Sequence, residues 1–240
     1  MAALLFECLG GGGRIVGPRV LGIDAAGKHG WVGAIVDDRG FVAAHVGALN
    51  ELITWAEPVA TVGVDIPIGN LPEGGRAADT VARGFIGLRR SSVFNAPPVA
   101  ELRQDSFDET NRQLAERGQP KMSRQTWALL LKVEEAEALA SSDDRLIEVH
   151  PEVSFRAMTD RDLEWPKKSW NGQMLRRRLL TDAGIVLPDQ LDSAGVIPVD
   201  DVLDAAAAAW SARRHAQGQA RALPDHVEVD RTGHRLAIWY

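Results

Sequence analysis

The chain has 240 residues and a formal net charge of −6, long enough for one substantial core and too acidic to coat nucleic acid by bulk charge. No apolar run approaches the roughly 20 residues that span a bilayer. The single cysteine, Cys8, excludes a disulfide framework and a cysteine-based zinc site. Residues 1–18, with the run Gly10–Gly13, are expected to form a flexible leader. Ala2–Phe6 is too short, and lacks the basic flank, for a signal-peptide core. The cytoplasm is therefore the expected compartment, and one domain is expected over residues 19–240.

Arg19–Asp24 (RVLGID) is a short apolar run ending in an acid, the pattern of a buried strand. Trp31–Val36 and Phe41–Val46 follow, joined by Asp37-Asp38-Arg39-Gly40, so that three strands form an antiparallel meander. Leu49, Leu52, Ile53 and Ala56 share one helical face. Thr61–Ile66 (TVGVDI) is a second buried strand, stopped by Pro67. A helix between the third and fourth strands implies a crossover that returns the fourth parallel to the first. Residues 69–144 carry no convincing strand and predict a mostly helical insertion: Arg76–Leu88, a loop through Asn95-Ala96-Pro97-Pro98, Ser106–Glu116 and Gln125–Ala140. Arg145–Val149 is the fifth strand, broken by His150-Pro151. The loop Trp165–Trp170 leads into a helix near Gln173–Ala183. Asp200–Gln217, with five consecutive alanines, predicts a helix packed closely on the sheet, and Val227–Tyr240 a hairpin turning at Thr232-Gly233.

Asp24 and Asp65 each end a strand made otherwise of small and apolar residues. Parallel neighbours put those ends about 4.8 Å apart, at the carboxyl edge where open α/β sheets bind ligands. Two carboxylates so close repel, and one holds its proton unless a cation intervenes. A divalent metal resolves the conflict, and hard cations prefer oxygen. Asp201 and Asp204 lie three apart on one helix face. Capping and the helix dipole alone also account for first-turn acids, Asp200 above all.

The motifs GIDAAGKHGWVGAIV, VGVDIPIG, RRSSVFNAP, EVHPEVSF and DDVLDAAAAAW, in this order, resemble the domain-of-unknown-function family numbered 429 from about Val20 to the C-terminus. That family is predicted to consist of RNase H-like nucleases. The resemblance implies an α/β fold with an RNase H-like mixed five-stranded sheet, the antiparallel meander plus parallel strands, with flanking helices and the helical insertion. It also implies metal ligands at Asp24, Asp65 and Asp204, with Asp201 as partner in a D-x-x-D pair and Glu148 and Glu152 as further candidates. Glu51 stands in a helix without a motif, and the first-helix glutamate common in RNase H proteins is not carried over to it.

Arg89-Arg90-Ser91-Ser92 offers guanidinium pairs that could clamp a phosphate, or charges that merely complement a helix C-terminus. Lys167-Lys168 beside Trp165 and Trp170 has the basic and aromatic character of a single-strand groove, and equally that of a solvated loop. Arg176-Arg177-Arg178 reads as a helix surface. His150 is either a proton shuttle near Glu148 or a structural turn residue. The histidines form no H-x-x-x-H pair, and neither Gly10–Gly13 nor Gly27-Lys28 has P-loop spacing.

The expected function is metal-dependent phosphodiester hydrolysis on nucleic acid, DNA or RNA. Two Mg²⁺ or Mn²⁺ ions, bridged by Asp24 and supported by Asp65 and Asp204, would do the chemistry, with Arg89, Arg90, Ser91 and Lys168 holding the strand. Two alternatives stay open: an ATPase or phosphotransferase of the actin-like superfold, and a non-catalytic nucleic-acid or protein-binding module with a vestigial site.

Overall fold

The computed structural model describes residues 17–69, 75–94, 96, 106–119, 121–230 and 233–240. The expected leader, apart from Gly17 and Pro18, and much of the loop around Pro97-Pro98 lie outside them. β1 (Val20–Ala25), β2 (Trp31–Asp37) and β3 (Gly40–Gly47) form the meander. α1 (Leu49–Ala56) then returns the chain to β4 (Val62–Val64). The insertion contributes α2 (Ala77–Phe85), a 3₁₀ turn over Gly87–Ser92, α3 (Phe107–Glu116) and α4 (Arg124–Ala140). β5 (Leu146–Glu148), α5 (Pro151–Thr159), α6 (Trp170–Asp182) and α7 (Val199–Ala216) follow. β6 (Ala222–Val229) and β7 (Arg235–Trp239) close the chain.

The five-stranded sheet runs β3-β2-β1-β4-β5. β1 is antiparallel to β2 and parallel to β4, and β4 is parallel to β5. This is an α/β sheet of the RNase H-like type. Helices cover both faces. Leu21, Ile23, Val62 and Val64 pack against Leu49, Leu52 and Ile53 of α1 and Val133 and Ala136 of α4. On the other face Val20, Val32, Ala34 and Val36 pack against the alanines of α7 and against Phe155 and Leu180 of α5 and α6.

Strand alternation decides where the acids go, because residues two apart share a face. Gly22 and Asp24 of β1 look toward α7, as do Gly63 and Asp65 on and just beyond β4. The glycines let the helix come close. A Cβ at Gly22 would lie 2.0 Å from the amide nitrogen of Ala209 and 2.2 Å from the carbonyl oxygen of Ala205, and one at Gly63 would lie 2.8 Å from the carbonyl oxygen of Ala208. With the α7 backbone seated on these two glycines, Asp204 at its sheet-facing side meets the aspartates that follow them.

Two expectations need correction, and one helix was not expected. β5 is broken at His150-Pro151 as expected, but a helix begins there at once. Pro151 stands at the first turn of α5, where its fixed φ and missing N–H suit a helix start. α6 begins earlier than expected, at Trp170, because the Ser169 hydroxyl accepts a hydrogen bond from the Gly172 amide at 3.1 Å and caps it. The terminal hairpin also begins earlier, at Ala222; Thr232 of its expected turn lies outside the described residues.

Gly22→Ala is expected to lower stability in urea by about 3 kcal/mol, the upper part of the usual overpacking range. Gly84→Ala, in α2 with nothing within 4 Å of the added methyl, should be neutral or stabilising by about 0.5–1 kcal/mol. Equal denaturation midpoints for the two variants would contradict the close seating of α7.

Candidate metal centre

Asp24, Asp65 and Asp204 each offer a carboxylate oxygen, and the three oxygens lie within 4.8 Å of one another. They come from β1, the residue after β4, and α7. The Asp65 amide continues the parallel ladder by donating to the Ile23 carbonyl at 2.8 Å, which holds Asp65 level with Asp24. One Asp24 oxygen accepts the Ala25 amide at 2.7 Å. Asp204 is only 1% exposed. Its Oδ2 accepts from the Lys167 ammonium at 2.5 Å, while its Oδ1 is buried with no partner among the described residues.

The electrostatics follow from the crowding. Burial, then the charges of Asp65 and Asp204, hold the Asp24 carboxyl well above the ordinary range. Burial raises Asp65 too, against the opposing pull of His150 and Lys167 and a hydrogen bond with the Asp24 carboxyl. Asp204 is pushed up to about 7 by burial, although Lys167 pulls the other way. Lys167 is held charged by the carboxylates around it. A group of this kind stores protons that a divalent cation would displace.

The three carboxylates line a cleft of about 570 Å³. Asp201, Glu148, Glu152, Arg89, Ser91 and Lys168 line the same cleft, and so does His150. Arg90 is not among the lining residues and is exposed. Asp201 is half-buried; burial, then the neighbouring Asp200, raises its carboxyl, while Lys167 and Lys168 lower it. The His150 ring lies 3.3 Å from the Ser92 carbonyl through Nε2. A carbonyl only accepts, so Nε2 carries the proton there.

Two acids of the cleft are engaged by buried arginines. Both Glu148 oxygens receive Arg76, at 2.6 and 2.7 Å, and Oε2 also accepts the Ile68 amide. Arg76 reaches Asp79 as well, at 2.6 Å, and Asp79 accepts the Ala96 amide at 2.8 Å. Glu148 therefore fastens the insertion to the end of β5 and stands apart from the three clustered carboxylates. Glu152 is paired through Oε1 with Arg176 at 2.6 Å, while its Oε2 is buried without a partner among the described residues. Arg176 corrects the surface reading of Arg176-Arg177-Arg178. Its side chain is 0% exposed and it donates to the carbonyls of Trp165 and Gly172, whereas Arg177 reaches outward to Asp189 and Arg178 is exposed.

Arg89 also has a bracing role. Its guanidinium donates to the carbonyls of Leu163 and Glu164 at 3.1 and 3.0 Å, steadying the loop that carries Lys167. Lys167, read from sequence only as part of a basic loop, is thus the cation of the acidic cluster. The signal for it was faint: a lysine just after Pro166 and two residues before the Ser169 cap.

A family profile described as "Protein of unknown function (DUF429)" matches residues 22–229, most of the chain. The chain belongs to that family. No curated protein and no solved structure matches it. The matched segment contains Asp24, Asp65, Asp204 and Lys167. Among the described residues, no helix is long and apolar enough to cross a membrane.

A group whose carboxyl is raised on folding leaves the native chain holding a proton that the unfolded chain has already lost. Stability from that group is then lost as pH rises from about 4, the ordinary carboxyl value, through the raised one. Asp24→Asn removes the charge at every pH. The metal-free variant should melt higher than the wild type, with a gap that widens from pH 5 to pH 8, by about 2–4 °C for each kcal/mol of repulsion removed. Thermal melts in chelator check this, and a variant melting lower throughout the range would contradict it.

Proposed function

We propose that the protein is a metal-dependent phosphodiesterase acting on nucleic acid. The observation that carries the reading is the convergence of Asp24, Asp65 and Asp204 within 4.8 Å at the carboxyl edge of an RNase H-like sheet. The donor set suits Mg²⁺ or Mn²⁺. It is all carboxylate oxygen, it carries charge in excess of Lys167, which faces it, and it keeps a buried acceptor, Asp204 Oδ1, without a partner among the described residues. A divalent cation held there supplies Lewis-acid polarisation of a phosphodiester and neutralises the charge that develops on it.

The chain's own residues supply the remainder. Asp24 and Asp65 would hold the cation from the sheet and Asp204 from α7. Lys168 and Arg89 present positive charge along the cleft, against a net charge of −6 that would otherwise repel a polyanion. Ser91, exposed on the cleft wall, adds a hydroxyl for a phosphate oxygen. Arg89 is the more constrained of these groups, since two of its hydrogen bonds go to backbone carbonyls. Trp165 and Trp170 flank the lysine pair, and Trp170 is well exposed, which suits stacking on an unpaired base.

Single-stranded, duplex and branched DNA and RNA, each incubated with Mg²⁺ or Mn²⁺, test the reading. The wild type should cleave at least one of these substrates in the presence of metal. Asp24→Asn and Asp65→Asn should each lose at least about 100-fold in rate, the scale of removing one preorganised electrostatic group, while keeping the native circular-dichroism spectrum. Full activity in Asp24→Asn, or no cleavage of any substrate by the wild type, would overturn it.

A further inference from the structure

Lys167 does not sit at the cluster by chance of a flexible loop. Pro166 precedes it, and the Pro166 carbonyl accepts both the amide and the hydroxyl of Ser169. Gly172 lies against the same carbonyl, so closely that a Cβ there would be 1.9 Å from its oxygen. Arg176, fully buried, ties the Trp165 carbonyl to the body of α6 and to Glu152. Arg89 holds Leu163 and Glu164 from the other side. The loop is braced at each end, and its lysine is delivered to Asp204 Oδ2 at 2.5 Å.

We propose that Lys167 is the resident second cation of the centre, so that the site loads one divalent metal ion rather than two. The inference rests on the metal-dependent reading and replaces the expectation of a two-ion site. Charge counting is consistent with it. Three clustered carboxylates carry three negative charges, which one ammonium and one divalent ion balance. Glu152 does not change the sum, because Arg176 neutralises it. Asp200, buried and ion-paired with the ammonium at 4.0 Å, and the half-buried Asp201 are further negative charges in the cleft. Geometry agrees. Asp204 gives one oxygen to Lys167 and keeps the other, Oδ1, without a partner among the described residues, so a single carboxylate serves two cations on opposite oxygens. Lys167 is then a positioning residue. It fixes Asp204 and holds positive charge where a second ion would otherwise sit.

The test is a count of bound Mn²⁺ on the full chain at pH 8, with free Mn²⁺ measured by electron paramagnetic resonance. The wild type should bind one ion per chain. Lys167→Ala and Lys167→Gln should bind two, with the exchange-broadened signal of a coupled pair. Two ions in the wild type, a count that needs no variant, would overturn the inference while leaving the metal centre intact. One ion in both lysine variants would also overturn it. No ion in the wild type would overturn the metal reading itself.

Discussion

Three carboxylates within 4.8 Å of one another, Asp24 and Asp204 buried and Asp65 half-buried, repel, and removal from water makes each charge harder to sustain. Much of the surrounding structure can be understood as holding that repulsion in place. The parallel pairing of β1 and β4 fixes two of the acids side by side, and α7 brings the third from above. Lys167 offsets part of the charge. The remainder is either stored as bound protons, with Asp204 held up to about 7, or is available to a divalent cation. A fold selected only for stability would place apolar residues or satisfied polar groups there.

The scaffold around the cluster is correspondingly stiff. Gly22 and Gly63 let the α7 backbone approach the sheet more closely than any side chain would permit, and they stand two residues before Asp24 and Asp65. The helix contact and the carboxylate contact are therefore consequences of one strand geometry. Around this lies a ring of buried ion pairs: Arg76 with Glu148 and Asp79, and Arg176 with Glu152. Each arginine joins the sheet edge or α5 to a segment that borders the cleft, the insertion in one case and the lysine loop in the other. Removing either arginine would strand buried acids, at a cost of about 3–5 kcal/mol by analogy with other buried pairs. These pairs fix the positions of the cleft walls more than they add to net stability.

The order of the sheet strands and the places of Asp24, Asp65 and Asp204 were legible because they follow from local rules. Apolar runs that end in an acid, a helical crossover and an alanine-rich helix each announce themselves in a few residues. The G-x-D spacing shared by GID and GVD also carried the approach of α7, a signal visible in the sequence once the packing is known. What was not legible depends on partners distant in the chain. Arg176 in a run of three arginines resembles a solvated face, and only the fold brings it to Glu152. Glu148 resembles its acidic neighbours at the sheet edge until Arg76, from the insertion, engages both of its oxygens. Lys167 could be assigned to the acidic cluster only once the loop between α5 and α6 had been placed. α5 was hidden because Pro151 suits a helix start as well as a strand stop.

The most direct measurement is an anomalous difference map from crystals grown with saturating Mn²⁺. A single peak about 2.1 Å from oxygens of Asp24, Asp65 and Asp204, with the Lys167 ammonium still on the opposite oxygen of Asp204, is the predicted result. A map without a peak among these three aspartates would contradict the metal centre on which the account depends.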